Sequence, residues 1–246
     1  MPVSTESTWF RRYRVARPRA RLLCLPHAGG SASFFHSWGH ALGADIEVLA
    51  ARYPGRQERI AEPCVESMES LAESITHELL PYTDVPLAVF GHSMGASLAY
   101  EVGVRLEKRY GTALRGLFVS CRQAPHRVEP ERHDLRGDEA VVAEVRRLGG
   151  TDPGLLTDPD LRELLLPAMR ADFRVVGTYE ARPVIPLGCP VVGYLGESDP
   201  DVTEGDMRAW RDATTVEFDL RTFSGGHFYL ADEKESVVRD IAGRLA

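Results

Sequence analysis

The sequence predicts an α/β fold, a mainly parallel sheet flanked by helices, on three observations. Short apolar runs alternate with longer amphipathic ones along most of the chain, as strands joined through helical crossovers do. A Gly-X-Ser-X-Gly step at residues 91–95 joins one apolar run directly to one helical run. No Ser/Pro/Gly-rich linker divides the 246 residues, so the chain reads as one domain over 1–246 with a substantial core.

The strands are expected at "RLLCLP" (21–26), "IEVLAARY" (46–53), "PLAVFG" (86–91), "GLFVS" (116–120), "PVVGYLG" (190–196) and "VEFDLRTF" (216–223). Helices are expected between and after them, at about 33–42, 67–80, 94–109, 204–213 and 232–245. The segment "SMESLAESITHELL" shows why: it brings Met68, Leu71, Ile75 and Leu79 to one side, a helical stripe.

From Arg122 to Pro186 no strand pattern occurs. "DEAVVAEVRRLGG" begins at Asp138, an expected N-cap, and ends in paired glycines. A second helix begins at an Asp158 cap and carries Leu161, Leu164, Leu165, Met169, Phe173 and Val176, with Pro167 expected to kink or divide it. The span 122–186 therefore reads as a helical insertion between two strands.

Composition excludes several function classes. A net charge of −7 argues against general nucleic-acid binding, which needs a broad basic surface. No apolar run approaches the roughly 18 residues a membrane span needs, and the N-terminus has no apolar signal region. The expectation is a cytoplasmic protein without membrane contact. Cys24, Cys64, Cys121 and Cys189 lie far apart without a CxxC pair and read as reduced core thiols. His36 and His40 could share a helical face, but no carboxylate ligand lies near, and neither a metal nor any other cofactor is expected.

"VFGHSMGAS" carries the chemistry. A strand that turns abruptly into a helix strains its turn residue, and side chains two positions either way would collide with it. Gly91 and Gly95 remove those side chains, which leaves the Ser93 hydroxyl exposed near a helix N-terminus. Such a serine needs a base, itself oriented by a third group, and on this type of sheet the chain order is Ser, acid, His. Of the eight histidines, His227 in "TFSGGHFYL" has the suitable late position, on a glycine-rich loop after the last strand. His92 beside the serine should point elsewhere, while His126 and His133 in the insertion are fallbacks. For the acid, Asp199, emerging before Asp201 with Pro200 fixing the turn, is preferred over Asp201 and over the less suited Glu197.

An oxyanion hole completes the set: one N–H from the residue after the nucleophile, another from the loop after an early strand. Met94 gives the first. In "PHAGGSASFF" Ala28 is the expected second donor, with Gly29 as runner-up.

The stretches "LLCLPHAGGSASFF", "YPGRQERI", "VFGHSMGA", "GYLGESDPDV", "MRAWRD" and "TFSGGHFYL" together resemble the stand-alone type II thioesterases that accompany polyketide and nonribosomal peptide synthetases. The resemblance runs across nearly the whole chain. It implies an α/β-hydrolase fold in which 122–186 forms a helical lid, a triad of Ser93, Asp199 and His227, and oxyanion donors at Ala28 and Met94. It also implies hydrolysis of acyl groups from the phosphopantetheine arm of acyl or peptidyl carrier proteins, with no cofactor of the enzyme's own. A monomer is the expected state.

Because carrier proteins are generally acidic, docking would need a local basic patch. "FRRYRVARPRAR" gathers Arg11, Arg12, Arg14, Arg17, Arg19 and Arg21, equally readable as a charged edge strand. Arg52, Arg56 and Arg59 follow a strand nearer the chemistry and are the preferred docking set. The rival functions are a general carboxylesterase or lipase, an acyltransferase, and a non-catalytic hydrolase-like binding module.

Overall fold

The computed structural model describes residues 7–129, 137–149 and 153–246. Among these, β1 (Phe10–Tyr13), β2 (Ala20–Leu25), β3 (Ile46–Ala51), β4 (Leu87–His92), β5 (Gly116–Ser120), β6 (Val191–Gly196) and β7 (Phe218–Phe223) form one sheet. Its order is β1-β3-β2-β4-β5-β6-β7. Every pairing is parallel except that of β1 with β3, where Phe10 lies opposite Ala51. All six expected strands are present with ends shifted by at most two residues, and "FRRY" adds a seventh at the edge. Strands β2 to β6 are buried along their whole length, which is why they read as unbroken apolar runs rather than alternating ones.

The helices are α1 (Trp38–Ala41), α2 (Met68–Leu79), α3 (Met94–Tyr110), α4 (Asp138–Leu148), α5 (Pro159–Gly177), α6 (Glu204–Arg208) and α7 (Lys234–Leu245). The chain moves one way across the sheet from β2 to β3, then the other way from β4 to β7. Right-handed crossovers therefore put α1 on the face opposite α2 and α3. In agreement, α2 packs on α3 and α1 on α7. The reversal lies between β2 and β4, so a crevice opens beyond their carboxyl ends, the usual ligand position in such sheets.

Several expectations are corrected. The helix at 33–42 is a 3-10 turn over Ala32–Phe35 followed by the single turn of α1. The one at 204–213 splits into α6 and a 3-10 stretch. Asp138 does not cap α4: Gly137 occupies that position and Asp138 opens the helix, paired with Arg170 at 2.8 Å. Asp158 does cap α5, accepting from the N–H groups of Asp160 and Leu161. Pro167 neither ends nor divides α5. Pro167 and Glu163, whose carbonyl loses its intrahelical donor, both lie on the exposed face, where water can take the freed bond.

Between β5 and β6, α4 and α5 share a small hydrophobic cluster of their own, made by Val141, Val142, Val145, Leu156, Leu166, Met169 and Phe173. Farther along α5, Val175 and Val176, followed by Tyr179, join the main core with the sheet. Cys24, Cys121 and Cys189 are buried free thiols and Cys64 is half-buried. Among the described residues no helix is long and apolar enough to cross a membrane.

Candidate active site

Ser93 is the single residue between β4 and α3. Its φ of 55° and ψ of −120° are sparsely populated for a side-chain-bearing residue, a conformation that costs roughly 1–3 kcal/mol. Its N–H donates to Ser120 O at 2.8 Å. A Cβ on Gly91 would stand 1.9 Å from Gly95 O, and one on Gly95 would stand 2.1 Å from Leu25 O. The two glycines thus let β4, α3 and the end of β2 approach closely enough to make the turn.

The Ser93 side chain lines a cavity of about 370 Å³ together with Ala28, Phe173, Val176, Arg147 and His227. His227 arrives on the loop after β7. The loop closes down on the end of β6, where Ser198 N–H donates to Gly225 O at 2.9 Å and a Cβ on Gly196 would meet Gly226 O at 2.2 Å. This approach brings His227 Nδ1 to 2.8 Å from Asp199 Oδ2. A carboxylate only accepts, so Nδ1 carries the proton and Nε2 holds the lone pair. That Nε2 is buried and has no protein hydrogen-bond partner. Ser93 and His227 face one cavity, with no hydrogen bond between hydroxyl and ring.

Asp199 is held from both sides. Its Oδ1 accepts the N–H groups of Asp201 at 2.9 Å and Val202 at 3.2 Å. Burial raises its pKa, but the His227 hydrogen bond and charge, the Asp201 N–H and the Cys121 thiol outweigh this and leave it below the ordinary value. Burial above all, then the Asp199 charge, pushes the Cys121 thiol well up. It therefore stays a protonated donor. The backbone at Cys121 is left-handed, with φ of 47°.

Two further imidazoles crowd this edge. His27 and His92 have ring centroids 5.7 Å apart, and His92 lies 5.1 Å from His227. Burial, then the His227 and Arg56 charges, lowers His27 to about 3. Burial also drives His92 well below its usual value. As expected, His92 points away into the core, where Nδ1 lies 3.0 Å from Ser120 Oγ, which in turn meets Tyr229 OH at 2.9 Å.

The loop after β2 presents its N–H groups selectively. Gly29 donates to Asp172 Oδ2 at 2.8 Å, and Gly30 to His27 O at 2.9 Å. The runner-up donor is therefore already engaged, while Ala28 is among the residues that line the cavity. Met94 is the first residue of α3, whose N–H has no acceptor within the helix.

Other expected residues have different partners. Asp201 forms an ion pair with Arg147 at 2.7 Å. Glu197 is exposed. His126 lies 3.3 Å from Asp212 and does not line the cavity; His133 lies outside the described residues. The preferred docking set is a correction: Arg56 and Arg59 are 8% and 6% exposed. Arg56 is bidentate on Asp172, and Arg59 holds Glu62 and the Arg52 carbonyl while covering the Trp9 ring at 4.1 Å. Guanidiniums this buried and already paired cannot serve a docking surface. In the N-terminal set, Arg11 pairs with Glu58, Arg12 with Glu47 at 2.6 Å, and Arg21 with Glu47 and Asp84.

Sequence reasoning missed Asp172. A signal was there: it is a lone carboxylate in the apolar stripe of α5, beside Phe173 and between Met169 and Val176.

Residues 20–245 match the family model described as a thioesterase domain. Among curated relatives, Thioesterase PikA5 of Streptomyces venezuelae is 45% identical, over 99% of this chain and 88% of that protein. The gramicidin S biosynthesis protein GrsT of Aneurinibacillus migulanus is 34% identical, over 99% and 96%. Among solved structures, the type II thioesterase BorB from the borrelidin biosynthetic cluster superposes with a TM-score of 0.90 at 43% identity, covering 99% of this chain and all of that one. RedJ, a thioesterase from the prodiginine pathway of Streptomyces coelicolor, gives 0.85 at 36% identity over 93% and 87%. The sheet and its flanking helices are those of the α/β-hydrolase fold.

Proposed function

The chain belongs to the thioesterase family and is a hydrolase acting on thioesters, and on that premise we propose that Ser93, His227 and Asp199 are its catalytic triad. The substrate is an acyl group on the phosphopantetheine arm of an acyl or peptidyl carrier protein, in keeping with the polyketide and nonribosomal peptide pathways of its type II relatives. The observation that carries this reading is the His227–Asp199 pair, whose Nε2 is left open beside the cavity that Ser93 lines.

The steps follow from that geometry. Ser93 Oγ attacks the thioester carbonyl while Nε2 takes its proton. The tetrahedral oxyanion is met by the N–H groups of Ala28 and Met94. Collapse breaks the C–S bond, and the imidazolium returns the proton to the departing sulfur. Water then gives a proton to Nε2 and attacks the acyl-enzyme; the second collapse frees the carboxylic acid and restores the serine. Asp199, kept ionised, stabilises the imidazolium in both halves. The chain works as a single domain over 1–246 and as a cytoplasmic monomer, with 122–186 as a lid whose Phe173 and Val176 wall the acyl group from water.

Steady-state kinetics with one acyl group on a carrier protein, on pantetheine and on a simple alcohol tests this. The reading predicts the highest kcat/KM on the carrier, at least about ten-fold above acyl-pantetheine, from added docking energy. Equal rates on the oxygen ester would make it a general esterase, and a non-hydrolytic product in the presence of an acceptor would make it an acyltransferase.

A further inference from the structure

Asp172 sits on α5, facing the loop after β2, and is 1% exposed. Its Oδ2 accepts the Gly29 N–H at 2.8 Å and Arg56 Nη1 at 2.5 Å, while Oδ1 accepts Arg56 Nη2 at 2.7 Å. Arg56 Nη1 also donates to Gly30 O at 3.0 Å. On the other side of Ala28, Tyr53 OH donates to Pro26 O at 3.1 Å, and the Arg56 guanidinium lies 5.3 Å from the Tyr53 ring centroid. The loop is thus tied at Pro26, Gly29 and Gly30, and Ala28 lies between the ties. Met169, one turn before Asp172, closes the same contact: a Cβ on Gly29 would stand 3.2 Å from its Cγ.

An ion pair this buried is a poor way merely to fasten a helix, since well-packed apolar residues of similar volume often do as well or better. What apolar residues cannot provide is an acceptor for the Gly29 N–H. Nor could an unpaired carboxylate do this next to a developing oxyanion, where its charge would oppose the one forming. A carboxylate cancelled by a guanidinium meets both demands. We infer that Asp172 and Arg56 are a positioning pair: Asp172 fixes the backbone on the C-terminal side of Ala28 in its oxyanion-accepting shape, Arg56 cancels the carboxylate charge, and seating of α5 is thereby coupled to transition-state stabilisation. The inference rests on Ala28 being an oxyanion donor to a tetrahedral intermediate on Ser93.

The test compares wild type with two double variants, R56M/D172M and R56M/D172N, on an acyl N-acetylcysteamine thioester. Both remove the ion pair without stranding a charge, but only R56M/D172N, through its side-chain amide oxygen, keeps an acceptor for Gly29. For R56M/D172M the expected result is a kcat lower by about 30- to 300-fold with KM within about three-fold, since oxyanion alignment acts in the transition state. Affinity for an aliphatic trifluoromethyl ketone, which forms an oxyanion on the serine, should fall by a similar factor. R56M/D172N should recover at least about ten-fold of the lost kcat. If R56M/D172M does not fold, Asp172→Glu serves instead: it keeps the charge balance, displaces the acceptor and should show the same split. A lowered melting temperature with kcat and ketone affinity within about three-fold of wild type would make the pair structural and overturn the inference. Stoichiometric fluorophosphonate labelling of wild-type Ser93 separates the two ideas: with labelling intact, an unchanged kcat sinks the pair alone, whereas a wild type that does not label sinks the triad and the pair with it.

Discussion

At the carboxyl edge of the sheet, backbone is packed against backbone, and Ser93, Asp199 and His227 take positions that leave no slack. A single added methyl on Gly91, Gly95 or Gly196 would stand within about 2 Å of a carbonyl oxygen. Across the cavity, α4, Leu156 and α5 as far as Phe173 share a seven-residue cluster separate from the main core. Their links to the rest include side-chain ties such as Arg56–Asp172, buried, and Arg147–Asp201, exposed. Ser93, Asp199 and His227 thus stand on the large main core, where local unfolding is costly, while α4 and the part of α5 packed on it rest on a smaller cluster that opens at less cost. On the proposed reading that difference suits a lid, past which the substrate arm enters.

The largest effect expected from this contrast is at Gly95. Gly95→Ala forces a Cβ to 2.1 Å from Leu25 O, with backbone on both sides of the clash. The expected outcome is loss of folded protein, or a melting temperature lower by more than about 10 °C by circular dichroism. A variant that melts within a few degrees of wild type would break the comparison at its rigid end.

The next effect is acid sensitivity of the same edge. The unfolded chain protonates His27 and His92 below their ordinary value of 6.5, whereas the folded protein holds both rings neutral, His27 down to about 3. Below that ordinary value the unfolded state binds more protons, so stability falls as acid is added, each ring contributing at most about 1.4 kcal/mol per pH unit. Asp199, with a lowered pKa, adds its own loss below about pH 4. Urea unfolding at pH 7, 5.5 and 4.5 should show a steepening decline; a flat profile would mean that the rings are not buried neutral.

The smallest effect is at the α4–α5 insert. Arg147 bridges α4 to the loop bearing Asp199 through Asp201, and its side chain is 43% exposed. Exposed pairs of this kind are worth below about 1 kcal/mol and are screened by salt. Arg147→Ala should therefore shift the melting temperature by less than about 4 °C, with any change in KM vanishing at high ionic strength. A large, salt-insensitive loss would show the insert to be as firmly built as the sheet.

The same contrast explains what could be read from the sequence. Placements dictated by backbone were legible: the crowding around Ser93 needs glycines at fixed spacing, Asp199 follows β6, and His227 rides a loop that glycines allow to close. Strands buried on both faces announced themselves as unbroken apolar runs; "FRRY" was readable as a charged edge strand, but nothing local showed its antiparallel pairing with β3. Long-range polar partners were not legible. Nothing local tells that Arg56 reaches Asp172, 116 residues away, rather than solvent, and so the sequence reads as a docking surface where the fold has a buried ion pair. Pro167 misled for a related reason: whether proline ends a helix depends on whether water can reach the carbonyl it frees.

The central claim, that the Ser93 hydroxyl is activated by His227 and Asp199 to form an acyl-enzyme, is tested most directly by rapid-quench mass spectrometry with an acyl carrier protein. The account predicts a transient gain of one acyl mass that maps to the Ser93 peptide. It should be absent in Ser93→Ala and form at least about a thousand-fold more slowly in His227→Ala. An acyl group mapped to any other residue, or turnover that persists in Ser93→Ala, would contradict it.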